Sequence, residues 1–208
     1  MDTKVEEFEQ ALLSLDRIKV KEMLSSEYNL DNFMSALEDI VVPAMENIGN
    51  KWESGDVALS QVYMGGKICE EIVDQLIPLT NTKRIDNLNI AIVVYKDYHM
   101  LGKRIVLTFL KASGYEILDY GQTSSIDELI QKIKTDNIKI LLISVLMLNS
   151  ALNIKEFITR LREEKLDTKV VVGGAPFRFD ADLYKEIGAD ACGTNASDTI
   201  DIINRFKG

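Results

Sequence analysis

Leu88-Asn89-Ile90-Ala91-Ile92-Val93-Val94-Tyr95-Lys96-Asp97-Tyr98-His99-Met100-Leu101-Gly102 is the stretch whose reading decides the fold. Residues 88–95 are a short apolar run rich in β-branched side chains, which reads as a strand; a polar loop follows, then an amphipathic segment of helix length near 100–113. The same unit recurs toward the C-terminus. Strands are expected at Tyr115–Asp119, Ile138–Val145, Lys169–Val172 and Asp190–Gly193, and helices near 125–136, 151–164, 180–187 and 196–206. Strands alternating with helices predict an α/β domain over residues 88–208. Its architecture is a doubly wound, Rossmann- or flavodoxin-like sheet of five parallel strands with helices on both faces.

Toward the N-terminus the period changes. Up to about residue 80 apolar residues recur three or four apart, at Val5, Phe8, Leu12 and Leu13, then Ile18, Met23 and Leu24, with no strand signal between them. A third helix is expected after Asn29-Leu30-Asp31, carrying Phe33, Leu37, Ile40, Val41, Met45, Ile48 and Trp52, and stopped by Ser54-Gly55-Asp56. A fourth runs from about Leu59 to Leu79, with Pro78 at its end. These helices predict a four-helix bundle over residues 1–82, joined to the α/β domain through the polar linker 81–87.

Charge and composition narrow the function. The chain has 24 Lys+Arg against 33 Asp+Glu, a formal charge of −9 that repels a phosphate backbone, so nucleic acid is not an expected partner. No stretch approaches the roughly 20 apolar residues that span a bilayer, and the acidic start is unlike a signal peptide. The expectation is a cytoplasmic protein without a membrane partner. Cys69 and Cys192 are far apart and belong to no CxxC pair or Cys/His cluster, which predicts buried thiols rather than a zinc site or a disulfide framework.

In a doubly wound sheet ligands bind beyond the carboxyl ends of the strands. Three loops there are unusual. Strand one runs into Asp97-Tyr98-His99-Met100-Leu101-Gly102, which holds the chain's one histidine; strand three ends in Ser144-Val145-Leu146, with Ser150 six residues past Ser144; strand four runs into Gly173-Gly174. Singly these decide little: a loop histidine is often a bystander, Ser-x-Leu is common, and Gly-Gly before Pro176 serves as a strand-to-helix turn. Together they stand in a defined order, with 41 residues (103–143) and then 26 residues (147–172) between them.

That order and spacing resemble the cobalamin-binding signature of methionine synthase and its relatives, Asp-x-His-x-x-Gly, Ser-x-Leu and Gly-Gly. The resemblance extends through Gly114–Gly121 and Ile187–Ala191, and backward through Val42–Met45 and Leu59–Val62, which are similar to the helical cap of those proteins. A cap plus one corrinoid domain, with no catalytic barrel, resembles the small corrinoid proteins of methyltransferase systems. The resemblance implies cobalamin or a related corrinoid bound base-off, with His99 as lower axial ligand to cobalt and an Asp97–His99–Ser150 relay that moves a proton as the cobalt changes state. Tyr98, Met100, Gly102, Leu146, Gly173 and Gly174 would contact the cofactor. Ser144 would hydrogen-bond the nucleotide base, Asn195 and Ala196 would close the slot for its tail, and Trp52, Leu59 and Val62 would cover the upper face. The chemistry agrees: a neutral imidazole is a good ligand for cobalt, and a carboxylate on its other nitrogen fixes the tautomer and raises its basicity.

Four positions depart from these patterns, two from the sensors and two from the family. Val62-Tyr63 stands where light- or gene-regulating corrinoid sensors have Glu-His, Leu148 stands where a hydroxyl residue is frequent, and Arg104 replaces a frequent asparagine. The implied role is a methyl carrier and not itself an enzyme, accepting a methyl group on Co(I) and delivering it from methyl-Co(III). Implied partners are a substrate-specific barrel methyltransferase, a second methyltransferase using tetrahydrofolate or a thiol, and a reductive activase. A corrinoid sensor or store without methyl transfer is the alternative, and a flavodoxin-like domain without corrinoid a third.

Overall fold

The structure is a computed structural model and describes residues 2–25, 36–76, 85–112 and 115–206. The chain divides into two compact units, Met1–Leu79 and Thr80–Gly208.

In the first unit, helices α1 (Asp2–Leu13), α2 (Arg17–Ser25), α3 (Val42–Glu53) and α4 (Leu59–Leu76) pack around Phe8, Leu12, Val20, Leu24, Ala44, Ile48, Ile68 and Ile72. The segment leading into α3 is not uniform. A π-helical turn, Leu37–Val41, precedes α3, and the Val42 N–H bonds to the Leu37 carbonyl five residues back. Pro43 explains the wider turn, because its ring has no N–H to donate and crowds the carbonyl four residues earlier. α3 stops as expected at Ser54-Gly55-Asp56, where Gly55 has φ +85°. The expected helix start after Asn29-Leu30-Asp31 and the expected end at Pro78 lie outside the described residues.

The second unit holds a sheet of five parallel strands in the order β2-β1-β3-β4-β5: β1 (Ile85–Tyr95), β2 (Tyr115–Thr123), β3 (Ile140–Ser144), β4 (Lys169–Gly173) and β5 (Ala191–Gly193). Helices α5 (Leu101–Ala112) and α10 (Ala196–Phe206) cover one face, where Leu110, Ile202 and Ile203 pack on Ile90, Ile92, Ile140, Leu142 and Val171. On the other face α6 (Ile126–Thr135) and α7 (Leu148–Glu163) enclose Ala91, Val93, Tyr95, Leu141, Ile143, Val170 and Val172. Both faces of the central strands are buried, which is why those strands read as unbroken apolar runs.

The differences from expectation are local. β1 begins at Ile85, within the residues expected as linker. β2 continues to Thr123 through register irregularities, with Gly121 at φ +68°. α7 starts at Leu148, so Ser150 lies in its first turn rather than in a loop. The helix expected near 180–187 is replaced by two short ones, α8 (Ala175–Phe179) and α9 (Leu183–Glu186), separated where Asp180 turns extended. Among the described residues no helix is long and apolar enough to cross a membrane.

Candidate functional site

Leaving β1, the chain reaches β2 on one side and β3 on the other. The carboxyl ends of β1 and β3 therefore form the switch point at which such sheets open a crevice. Asp97 stands in that crevice, its side chain 1 % exposed. Its Oδ1 accepts from the Tyr98 N–H (2.7 Å), the His99 N–H (3.1 Å) and His99 Nδ1 (2.7 Å). Its Oδ2 accepts from the Leu146 and Met147 N–H groups at 2.8 and 2.9 Å. One carboxylate thus ties the loop after β1 to the loop after β3. Burial alone would raise its pKa, but the hydrogen bonds from the His99 ring and from the Met147, Leu146 and His99 backbone hold it well below the usual carboxylate range.

An ionised Asp97 fixes the tautomer of His99. Nδ1 must carry the proton it shares with Oδ1, which leaves the Nε2 lone pair on a side chain 45 % exposed. Among the described residues no three His, Cys, Asp or Glu side chains converge on a point. A single outward imidazole backed by a buried carboxylate suits a metal whose other positions a macrocycle already fills. Apolar side chains flank it: Tyr98 is 80 % exposed, and Leu146, Met147 and Leu148 are 42, 43 and 57 % exposed.

A second feature lies on the α5 and α10 face. Ser144 pairs in register with Gly173, and Gly173 with Gly193. Alternation places all three on the face of Leu142 and Val171. This row of three carries no side chain larger than a hydroxymethyl, and Gly102 at the start of α5 faces it: a Cβ there would come within 3.2 Å of Ser144 Oγ, and one on Gly173 within 3.1 Å of the Gly193 carbonyl. The strip is nearly bare backbone with one hydroxyl, but its Gly193 end is buried beneath α10, where a Cβ would lie 2.8 Å from Thr199 Oγ1, so room for an extended ligand group is at Gly102, Ser144 and Gly173. Gly174 serves the turn that follows. Its φ is +122°, and a Cβ would lie 1.8 Å from the Val145 carbonyl oxygen, so no other residue fits.

Other expected site residues fall differently. Ser150, 5 % exposed, donates to the Lys96 carbonyl at 2.7 Å. Ser150 was expected in an Asp97–His99–Ser150 relay; its hydroxyl instead meets the chain at the Lys96 carbonyl, one residue before Asp97. Asn195 Oδ1 accepts from the Asp198 N–H (2.7 Å) and so caps α10, while Ala196 is buried beneath it. Met100 is half-buried in the loop beside His99. Trp52, Leu59 and Val62 belong to the helical unit, where Trp52 and Leu59 are 39 and 63 % exposed and Val62 is half-buried. Three residues were missed by sequence reasoning. Met147 acts through its backbone, Gly193 is defined by register, and Lys103, 2 % exposed, bonds to Asp119 at 2.5 Å from the first turn of α5.

Comparison with known proteins agrees with this geometry. A family model described as a B12 binding domain matches residues 88–203, and a second so described matches residues 5–77. Monomethylamine corrinoid protein 1 of Methanosarcina acetivorans is 36 % identical over 182 residues, 81 % of this chain and 82 % of that one. The solved monomethylamine corrinoid protein of Methanosarcina barkeri is 28 % identical, with 97 % of both chains covered and a TM-score of 0.78. The methanol:cobalamin methyltransferase complex of Methanosarcina barkeri shares the fold, with a TM-score of 0.53 at 20 % identity over 100 % of this chain and 81 % of that one. The chain belongs to the B12-binding family of methyltransferase corrinoid proteins.

Proposed function

We propose that this chain carries a methyl group on a bound corrinoid and presents it in turn to two methyltransferases, with bond-making catalysed together with those partners. A bound corrinoid supplies a cobalt centre that takes up and releases methyl groups; the chain's own residues hold, orient and shield it. The observation that carries the reading is the buried Asp97 carboxylate bonded at 2.7 Å to the Nδ1 of an outward-facing His99, at the carboxyl edge of the sheet.

In this reading His99, through Nε2, would hold the cobalt of the corrinoid. Asp97 would keep the proton on Nδ1, so that the Nε2 lone pair stays available to the metal. Ser144 Oγ would supply a hydrogen bond to the nucleotide base, and the small residues Gly102, Ser144 and Gly173 would leave room for its tail. Tyr98, Met100, Leu146 and Gly174 would contact the corrinoid, and Asn195 and Ala196 would line the slot for its tail. Trp52, Leu59 and Val62 of the helical unit would be the apolar residues that shield the bound corrinoid from water. The partners are a substrate-specific barrel methyltransferase, a tetrahydrofolate- or thiol-dependent methyltransferase and a reductive activase. Because relatives carry monomethylamine in their names, a monomethylamine methyltransferase is the first partner to assay.

Loading the full chain with hydroxocobalamin and reducing it to Co(II) tests the ligand assignment. The electron paramagnetic resonance spectrum should show hyperfine splitting from one imidazole nitrogen, and His99→Ala should abolish it. An unchanged spectrum in the variant removes His99 as the ligand.

A further inference from the structure

Four non-glycine residues among those described have positive φ: Leu15, Lys96, Asn137 and Lys165. Leu15, Asn137 and Lys165 close the turns after α1, α6 and α7, a common use of the left-handed region. Lys96 (φ +48°) instead follows a strand and directly precedes Asp97. A side chain held in this region persists only where its surroundings over-determine it.

Those surroundings are complete at Lys96. Its N–H donates to the Thr123 carbonyl at the end of β2 (2.9 Å), and its carbonyl accepts from Ser150 Oγ (2.7 Å). Its ammonium donates to Asn153 Oδ1 (3.1 Å), lies 3.6 Å from Glu156 Oε2 and sits 5.6 Å from the Tyr95 ring centroid. Tyr95 in turn meets Phe157, with ring centroids 5.7 Å apart. Ser150, Asn153 and Phe157 are spaced three and four apart on α7 and so share one helix face. That face, together with the end of β2, grips residues 95 and 96, while Asp97 takes its bonds from Leu146 and Met147 just ahead of α7.

We infer that Lys96 is a positioning residue for the His99 imidazole: its left-handed backbone, locked by Thr123 and Ser150, turns the chain so that the Asp97 carboxylate meets Nδ1 and both neighbouring loops at once. Ser150 acts through the Lys96 carbonyl and not as a third member of a proton relay. The inference rests on the proposed function only in making that imidazole a cobalt ligand.

The chain has one histidine, so corrinoid-free protein gives a single set of imidazole signals, and long-range proton–nitrogen correlation spectra read its tautomer directly. Wild type should show the Nδ1–H form. Lys96→Gly keeps the backbone conformation and should keep that tautomer, with hydroxocobalamin affinity within about fivefold of wild type, the weight of the lost surface anchor. Lys96→Val cannot adopt the conformation and should give mixed tautomers and at least about tenfold weaker binding. Ser150→Ala should fall between them, with binding about 2–10-fold weaker. If Lys96→Val retains the Nδ1–H form, or Lys96→Gly loses it as fully as Lys96→Val, backbone positioning is overturned; should Lys96→Val not fold, Lys96→Gly and Ser150→Ala decide alone, and a Ser150→Ala protein with wild-type tautomer and affinity overturns the clamp. The tautomer series as expected, with no imidazole nitrogen on Co(II) in any loaded protein, supports the positioning and overturns the ligand reading instead.

Discussion

Asp97→Asn is the substitution whose consequence follows most directly from the geometry. An amide keeps one acceptor oxygen and replaces the other with an NH2 donor. With the oxygen at the Oδ1 position, the Leu146 and Met147 N–H groups at 2.8 and 2.9 Å face a donor; with the amide flipped, the Tyr98 and His99 N–H groups and Nδ1 do. Two donors at least therefore lose their acceptor at about 1–3 kcal/mol each, and the remaining bonds lose their charge assistance, for a total of about 3–5 kcal/mol. At about 4 °C per kcal/mol this lowers the melting temperature of the second unit by about 12–20 °C. The chain's one tryptophan, Trp52, lies in the helical unit, so its fluorescence reports that unit while far-UV circular dichroism reports the helices and strands of both, and a transition seen in dichroism but not in fluorescence belongs to the second unit. Loss should appear in the dichroism transition. The sign with pH is also set. The folded pKa of Asp97 lies below its unfolded value, so its contribution is complete above about pH 4 and lost as the pH falls further, and wild type and variant should converge in acid. An Asp97→Asn protein within about 1 kcal/mol of wild type at pH 7 would falsify the two-loop role of the carboxylate.

Tyr95→Phe should stabilise the protein by about 1–3 kcal/mol, because the buried Tyr95 hydroxyl has no hydrogen-bond partner among the described residues while the ring keeps its contacts; a destabilised variant in urea titration would show that the hydroxyl is satisfied. Burial, with Glu156 nearby, pushes the Tyr95 phenol up to about 12, so wild type should lose stability between about pH 10 and 12 and the variant should lose less. Gly174→Ala should cost about 3 kcal/mol or more, since its methyl would meet the Val145 carbonyl at 1.8 Å, and a melting temperature close to wild type would show that the loop after β3 yields. Trp52→Ala, at a side chain already 39 % exposed, should cost about 1–2 kcal/mol and speed photolysis of bound methylcobalamin; a large loss of stability with an unchanged photolysis rate would return Trp52 to a packing role.

Much of this molecule is legible in its sequence because each strand buried on both faces is an unbroken apolar run between polar loops, as in Ile90–Tyr95 and Ile140–Ile143. The Asp97–His99 bond was legible for a different reason: two residues apart in a tight loop, the pair has few other places to meet. Ser150 shows where local pattern stops. Its position was read from spacing, but its partner depends on how α7 meets the turn at Lys96, and that turn is invisible because nothing in a lysine announces a left-handed backbone. The π turn before Pro43 and the division of residues 175–187 into two short helices were missed because both arise from one residue's backbone geometry within an otherwise helical pattern. Gly193 was passed over because its importance lies across the sheet in the pairing with Gly173, and no window along the chain contains both.

The register of the small residues governs where this protein can change length. Ser144, Gly173 and Gly193 lie side by side only while β3, β4 and β5 keep their pairing. Inserting one residue within β3 or β4 would rotate that strand's smallest side chain to the opposite face and put a bulky one in its place. The turns at the other end of the sheet, Asp136–Lys139 and Glu164–Asp167, lie far from the row and can absorb extra residues at little cost. The intervals of 41 and 26 residues each contain one of these turns, so the spacing along the chain can lengthen there while the pairing that sets the row side by side does not move.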